Sequence, residues 1–263
     1  MSDLATKLTG LTVCVTRPAP DAEVLAESIR EMQGQAVIMP VMAIVAVADA
    51  RERIENIFRT DPDIIIFISR NAVRHCIPLL SSTAKQYLKK IKVAAIGAST
   101  EKILQEQGVL VSIRPDTQSY TTESLLQSPD LQCIKGLRII IIRGRGGRAS
   151  LAEKLQQRGA DVMYCELYQR ILPENFNQSK FSILHQSDHI MLCSSSEIMH
   201  NILELAGAKY GAIVKKTPLL VVSPRIHKEA IRLGFQSDIL VSENASNQAV
   251  LRCLTQWYAV KEN

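Results

Sequence analysis

The residues with the clearest chemical potential follow a hydrophobic run near the middle of the chain. Ile139 to Ile142 are consecutive isoleucines, and residues 143–148 read Arg-Gly-Arg-Gly-Gly-Arg. The isoleucines are typical of a buried parallel strand, and a helix is predicted over residues 149–158. A glycine turn at a helix N-terminus presents free backbone N–H groups to an anion, and the arginines add positive charge. The candidate anion-binding residues are Arg143, Gly144 and Arg148.

Two other interpretations of this turn stay open on the sequence alone. It lacks the Gly-Lys-Ser or Gly-Lys-Thr ending of a Walker A loop, but it could still bind a phosphate ester. It could also be an ordinary strand-to-helix turn whose arginines are only solvated.

Similar residues follow the other predicted strands. Ligands of open α/β sheets bind at the carboxyl ends of the strands, and here those ends are rich in hydroxyls and arginines and poor in acids. A single serine or threonine at such a place is often no more than a helix N-cap, but the shared bias predicts a site for a polyanion. The candidates are Arg17, Ser69, Asn71, Thr100, Ser194, Ser195 and Arg225.

Tyr168 is the candidate for acid–base chemistry. It lies on the alternating segment Asp161 to Arg170, with Tyr164 and Glu166 on the same face. A phenol that faces the site can donate a hydrogen bond or a proton. The alternative is that Tyr168 only packs, as tyrosines in strands often do.

The sequence predicts neither a metal site nor a cofactor. The six cysteines form no Cys-x-x-Cys motif, and His185 and His189 lie in a loop before a strand, which is a weak arrangement for zinc. No Gly-x-Ser-x-Gly elbow surrounds Ser194 or Ser195, which argues against an esterase triad.

Composition indicates a globular protein of the cytoplasm. The chain has 263 residues, 46% of them hydrophobic and 22% charged, with a net charge of +5. No hydrophobic run is long enough to span a bilayer, and residues 1–8 lack the core of a signal peptide. Basic and aromatic residues do not alternate as in single-stranded nucleic-acid binders, so neither a membrane nor a nucleic acid is an expected partner.

The predicted elements alternate between strand and helix, which implies α/β architecture with parallel sheets. The second half of the chain repeats the first: the strands at Leu11, Asp63 and Val93 match those at Leu137, Asp188 and Leu219 at a near-constant offset. We therefore predict an internal duplication and two five-stranded sheets. Two further expectations are a strand over Val109–Ile113 and a single extended segment over Ala36–Val47.

Six motifs, in order over nearly the whole chain, together resemble the uroporphyrinogen-III synthase family. They are Val15-Thr16-Arg17-Pro18, Phe67 to Val73, Ala95 to Thr100, Arg143 to Arg148, Gly159 to Val162 with Tyr168, and Val221 to Ile226.

This resemblance implies a particular division of the chain. The family has two flavodoxin-like α/β lobes with parallel sheets, a two-stranded connection and an active site between the lobes. Lobe 1 would comprise residues 1–38 and 171–263, and lobe 2 residues 39–170. The connecting strands would be Met39 to Val47 and Val162 to Arg170.

The resemblance also implies an activity. The family closes the linear tetrapyrrole hydroxymethylbilane into uroporphyrinogen III with loss of water and inversion of ring D, and it uses no cofactor. Tyr168 matches the tyrosine that assists departure of the hydroxyl, Thr100 matches a cleft threonine, and Ser69 and Ser194 match strand-end serines. Some relatives carry Thr-Thr where this chain has Arg225-Ile226, so Arg225 is expected to bind a carboxylate instead.

The expected partner is the linear tetrapyrrole polycarboxylate, and the enzyme that supplies hydroxymethylbilane is a candidate protein partner of a monomeric chain. The rival interpretation from another class is a non-catalytic, two-lobed module that binds an acidic small molecule.

Overall fold

The computed structural model describes residues 8–115, 121–147 and 149–261. The strands are β1 (Thr12–Val15), β2 (Gln35–Ile38), β3 (Ala43–Ala46), β4 (Ile64–Phe67), β5 (Lys92–Ala95), β6 (Arg138–Gly144), β7 (Asp161–Ile171), β8 (His189–Cys193), β9 (Leu219–Val221) and β10 (Ile239–Val241). The α-helices are α1 (Asp21–Glu31), α2 (Ala50–Arg59), α3 (Arg70–Cys76), α4 (Ser82–Leu88), α5 (Ala98–Glu106), α6 (Thr122–Leu125), α7 (Ser150–Gln157), α8 (Ser196–Lys215), α9 (Pro224–Arg232) and α10 (Asn247–Lys261).

The chain forms two compact units. Unit 1 comprises Met1–Ile44 and Ile171–Asn263, and unit 2 comprises Val45–Arg170. The chain thus passes between units after residues 44 and 170, whereas the expected lobes change after residues 38 and 170.

Unit 1 contains a five-stranded sheet in the order β10-β9-β8-β1-β2. The β1 strand pairs in parallel with both β2 and β8, and β9 pairs in parallel with β8 and β10. Phe181, which is fully buried, contacts Phe176 and Tyr210 with ring centroids 5.4 and 5.8 Å away. This aromatic cluster belongs to the hydrophobic core that covers the sheet.

Unit 2 contains a second five-stranded sheet, in the order β3-β7-β6-β4-β5. Strand β6 lies at its centre and pairs in parallel with β4 and β7. Ile139 to Ile142 are at most 1% exposed, as predicted for a strand covered on both faces. The buried isoleucines fix the position of the Arg-Gly turn, which begins where β6 ends.

Two of the expected elements are wrong. Residues 109–113 make only an isolated bridge between Ile113 and Ala94. The backbone N–H groups of Ser112 and Ile113 both donate to the carbonyl of Val93, so the regular alternation of a ladder cannot continue. The extended segment over residues 36–47 is also interrupted, at Pro40, and its two halves join different sheets as β2 and β3.

We expect Phe181→Ala to destabilise unit 1 by about 3–5 kcal/mol, because it removes a fully buried ring from the core. Hydrogen exchange read separately for the two units would show lost protection in unit 1. The matched control is Val24→Ala, since Val24 is 59% exposed and should change stability by less than about 0.5 kcal/mol. Unchanged protection in the Phe181 variant would contradict the prediction.

Candidate active site

A cavity of about 370 Å³ lies in unit 2 where β6 and β7 end and α6 and α7 begin. Its walls carry three arginines and five hydroxyl side chains, namely Arg143, Arg145, Arg170, Thr121, Thr122, Ser150, Tyr164 and Tyr168. Glu123 is the single carboxylate among the lining residues that the structure describes. This excess of donors suits a ligand with several negative charges. Arg148, the third arginine of the predicted turn, lies outside the described residues.

Arg143 is directed into the turn that follows it. Its side chain is buried, Nε donates to the carbonyl of Gly144 at 3.2 Å, and Nη2 donates to the carbonyl of Gly146. The guanidinium also lies 4.5 Å from the centroid of the Tyr164 ring, and Nε is 3.9 Å from Oε1 of Glu166. These contacts exclude the interpretation that Arg143 is merely solvated, and they make it a support for the turn.

Gly144 is required by the tyrosine beside it. The two residues are partners on β6 and β7, at a register shift that follows Arg143. A Cβ atom at position 144 would lie 2.5 Å from Cε2 of Tyr168. The role of Gly144 in this structure is therefore to leave space for the phenol ring.

Tyr168 is 4% exposed, and its hydroxyl lies 2.9 Å from Oγ of Ser69. Ser69 follows β4 and caps α3, where its Oγ accepts a hydrogen bond from the backbone N–H of Ala72 at 3.1 Å. The cap fixes the serine, and the serine fixes the phenolic oxygen. The structure thus joins Ser69, Gly144 and Tyr168, which the sequence separates widely, at the edge of the cavity.

His75, in the last turn of α3, stacks on the ring of Tyr168. The ring centroids are 5.0 Å apart and the planes differ by 22°. Burial, with a smaller contribution from the positive charge of Arg74, lowers the pKa of His75 below its ordinary value of 6.5. The imidazole that covers Tyr168 is therefore neutral at neutral pH.

The buried cysteines are chemically inert. Burial raises the pKa of the Cys14, Cys165 and Cys193 thiols to about 12. Since the thiolate is the nucleophile and metal ligand, none of the three serves either purpose at neutral pH. Among residues 8–115, 121–147 and 149–261, no group of His, Cys, Asp or Glu side chains is arranged to hold a metal ion.

The candidates in unit 1 follow strands β1, β8 and β9, which are three consecutive strands of its sheet. Arg17 is 7% exposed and donates to Oδ1 of Asn247 and to the carbonyl of Ala245, both at 2.8 Å. Its guanidinium thereby anchors the start of α10.

The remaining unit 1 candidates lie at the starts of α8 and α9. Ser195 caps α8 by accepting from the N–H of Ile198, and half-buried Ser194 precedes it. Arg225 is exposed and donates to Oγ of Ser196 at 3.2 Å. The starts of α8 and α9 are thus connected by a side-chain hydrogen bond.

Three described candidates of unit 2 do not line the cavity themselves: Ser69, which reaches it through Tyr168, and Asn71 and Thr100. Asn71 is half-buried in the first turn of α3. Thr100 is 2% exposed near the start of α5. Burial argues that Thr100 packs within the unit, although both residues follow strands of the same sheet as predicted.

The amino-acid sequence matches known proteins over most of its length. The family described as uroporphyrinogen-III synthase HemD matches residues 23–252. The chain belongs to the uroporphyrinogen-III synthase family. A uroporphyrinogen-III synthase of Salmonella typhimurium is 31% identical, with 93% of this chain and 100% of that protein covered. The enzyme of Escherichia coli is 29% identical with the same coverage.

Solved structures of uroporphyrinogen-III synthases share the fold. A mutant enzyme from the extremely thermophilic bacterium Thermus thermophilus has a TM-score of 0.60 at 17% identity, covering 97% of this chain and 100% of that chain. The enzyme from Helicobacter pylori 26695 has a TM-score of 0.58 at 16% identity, covering 96% of this chain and 99% of that chain. The predicted α/β class with parallel sheets is confirmed. No helix in the described part of the chain is long and hydrophobic enough to cross a membrane.

Several residues in or beside the cavity of this family member were not among the sequence-based site candidates. Arg145 lies in the same turn as Arg143, and Arg170 ends the alternating segment that carries Tyr168, so composition could have indicated both. The sequence did not indicate the contact of His75 with Tyr168, because no pattern around a histidine in a short helix predicts its partner. Ser150 and Thr122 look like ordinary helix-start residues.

Gly144→Ala should destabilise the protein by about 1–3 kcal/mol, because the new methyl group overlaps the Tyr168 ring. Gly211→Ala is the matched control, since a Cβ there, inside α8, would meet no described atom within 4 Å. That variant should gain up to about 1 kcal/mol of stability from helix propensity. Thermal denaturation would compare them, and equal shifts in the two variants would contradict the prediction.

Lowering the pH from about 7.5 to 5.5 should destabilise the wild type more than His75→Phe. Below the ordinary pKa of 6.5 the unfolded chain takes up a proton at His75, whereas the folded protein resists it. The unfolded state then binds more protons than the folded state, so the free energy of unfolding decreases as the pH is lowered. Other titrating groups are common to both proteins. Equal losses of melting temperature would mean that His75 does not resist protonation.

Proposed function

We propose that the chain is a cofactor-independent lyase that closes hydroxymethylbilane into uroporphyrinogen III. The reaction loses water and inverts ring D of the linear tetrapyrrole, as a step of haem biosynthesis. The names of the curated relatives support this assignment. The observation that carries it is the hydroxyl of Tyr168, held by Ser69 at the edge of a cavity rich in arginines and hydroxyls.

The cavity suits the charged groups of such a substrate. Each pyrrole ring carries an acetate and a propionate, which arginines, hydroxyls and backbone N–H groups bind well. Exposed Arg145 and Arg170 are the proposed carboxylate ligands in unit 2. Arg143 contributes chiefly by holding the turn, since its guanidinium is engaged with the carbonyls of Gly144 and Gly146.

Ser69 prepares Tyr168 to act as an acid. Oγ of Ser69 already accepts the N–H of Ala72, so its own proton is available for donation to the phenolic oxygen. In that arrangement the phenolic proton of Tyr168 points to the substrate. As the C–O bond of the hydroxymethyl group breaks, this proton would pass to the departing oxygen, which leaves as water.

The larger task is to orient the reacting carbons. After water leaves, the electron-poor carbon is attacked by the substituted carbon of ring D, which gives a spiro intermediate and then the inverted ring. Uncatalysed closure attacks the free α-carbon and gives the uninverted isomer. Binding that favours the first geometry accelerates it by orientation alone.

We further propose that the two units are the two lobes of the family and derive from an internal duplication. The strand order supports this proposal, since β9-β8-β1-β2 in unit 1 parallels β5-β4-β6-β7 in unit 2. The sequence matches β1 to β6, β4 to β8 and β5 to β9. Each sheet would then combine strands of both copies. The roles of Arg17, Asn71, Thr100, Ser194, Ser195 and Arg225 stay predictions, as do the monomeric state and the cytoplasmic location.

The purified protein should convert fresh hydroxymethylbilane to isomer III instead of isomer I, separated by chromatography. Tyr168→Phe should lower turnover by roughly 10- to 100-fold, the low end for a positioned acid, and cost about 1 kcal/mol for one lost hydrogen bond. Isomer I alone from the wild type would favour a non-catalytic binder. Wild-type turnover in the variant would leave Tyr168 as a packing residue.

Arg145→Gln and Arg143→Gln should have different effects. Arg145 is exposed and donates weakly to Gln169 at 3.2 Å, so its loss should raise KM by roughly 5- to 100-fold with little change in stability. Arg143→Gln should lower the melting temperature as well, because it leaves the buried turn without its support. Steady-state kinetics and thermal denaturation of both variants would test this, and unchanged kinetics in both would remove the turn from the substrate site.

A further inference from the structure

Helix α3 contacts Tyr168 at both of its ends. Ser69, the N-cap, holds the phenolic oxygen at 2.9 Å. His75, in the last turn, lies nearly parallel to the ring with centroids 5.0 Å apart. A short helix thus fixes both the oxygen and the plane of the same aromatic ring.

The hydrogen bond to Ser69 cannot fix the ring plane. It restrains only the phenolic oxygen, and the plane of the ring can still rotate about the long axis of the side chain. On the side of β6 the ring lies close to the backbone of Gly144, where a Cβ would be 2.5 Å from Cε2, and His75 supplies the flat aromatic face against which the ring stacks. Stacked aromatic rings attract each other beyond the area that they bury, and this attraction favours nearly parallel planes.

The neutral protonation state of His75 suits it to stacking on the Tyr168 ring. It is half-buried, and burial lowers its pKa, so a neutral, flat ring covers Tyr168 at neutral pH. A phenylalanine has a flat ring of similar size, whereas a leucine fills space without a flat face. This difference allows the stacking to be separated from simple packing.

We propose that His75 is a positioning residue that sets the orientation of the Tyr168 phenol by stacking on it. This inference rests on the proposed function, in which Tyr168 gives a proton to the departing hydroxyl. His75 acts through Tyr168 and does not itself contact the reacting atoms.

Kinetics of His75 variants test the inference. His75→Leu should lower kcat about tenfold with KM within about twofold, because a misoriented acid slows the chemical step. His75→Phe should keep kcat within about twofold of the wild type. His189→Leu is the matched control, since His189 is another half-buried histidine with a lowered pKa, in unit 1, and it should not change kcat. A tenfold loss in the control as well would overturn the inference.

A double-mutant cycle asks whether His75 acts through Tyr168. In the Tyr168→Phe background the phenolic proton is absent, so His75→Leu should change kcat by less than about twofold. A tenfold fall in that background would mean that His75 acts by another route, and wild-type kcat in the single variant His75→Leu would mean that stacking is irrelevant. Either result overturns the inference.

Magnetic resonance of the tyrosine rings gives a readout that does not need activity. Tyr168 is assigned as the signal that is lost in Tyr168→Phe. Its ring protons should shift in His75→Leu and stay near their wild-type positions in His75→Phe, while unshifted signals in His75→Leu overturn the inference. If the wild type makes only isomer I, the proposed function fails, and these shifts still decide whether His75 holds the ring.

Discussion

Tyr168 and Gly144 are neighbours on adjacent strands, at a separation that leaves no room for a side chain at position 144. The described arrangement of the cavity edge depends on this close approach. It lets the phenol ring lie against the backbone of β6, where Ser69 reaches its oxygen and His75 its face. The register shift after Arg143 occurs at the same point, so the strand pairing itself is adjusted to admit the ring.

The turn after β6 shows how a loop lined by arginines can be held by backbone contacts as much as by charge. Arg143 donates hydrogen bonds to the carbonyls of Gly144 and Gly146, and so it satisfies these two acceptors of the turn. Arg145 and Ser150 line the cavity beside this turn. A buried arginine of this kind stabilises a loop conformation that its glycines alone would not hold.

The sequence could predict the fold and the edge of the sheet at which the cavity lies, because both depend on local pattern. Four isoleucines followed by an Arg-Gly turn place a buried strand and its carboxyl end with little ambiguity. The direction of Arg143 could not be predicted, since an arginine can point to solvent or into its own turn with the same sequence. The partnership of His75 with Tyr168 depends on how α3 packs, which no periodicity encodes. The error over residues 109–113 has a similar cause, because hydrophobic content did not reveal that two N–H groups share one carbonyl.

Unit 2 is one continuous stretch of chain, whereas unit 1 is assembled from both ends. The hydroxyl of Thr16, just after β1, donates to the carbonyl of Leu192 in β8, across 176 positions of sequence. On the ribosome, β1 and β2 therefore emerge long before the strand that lies beside β1, and Val45–Arg170 can complete its own sheet in the interval. A nascent chain of this topology exposes the unpaired side of β1 for the whole time that the middle of the protein is being synthesised, which is the period when chaperones would be most needed.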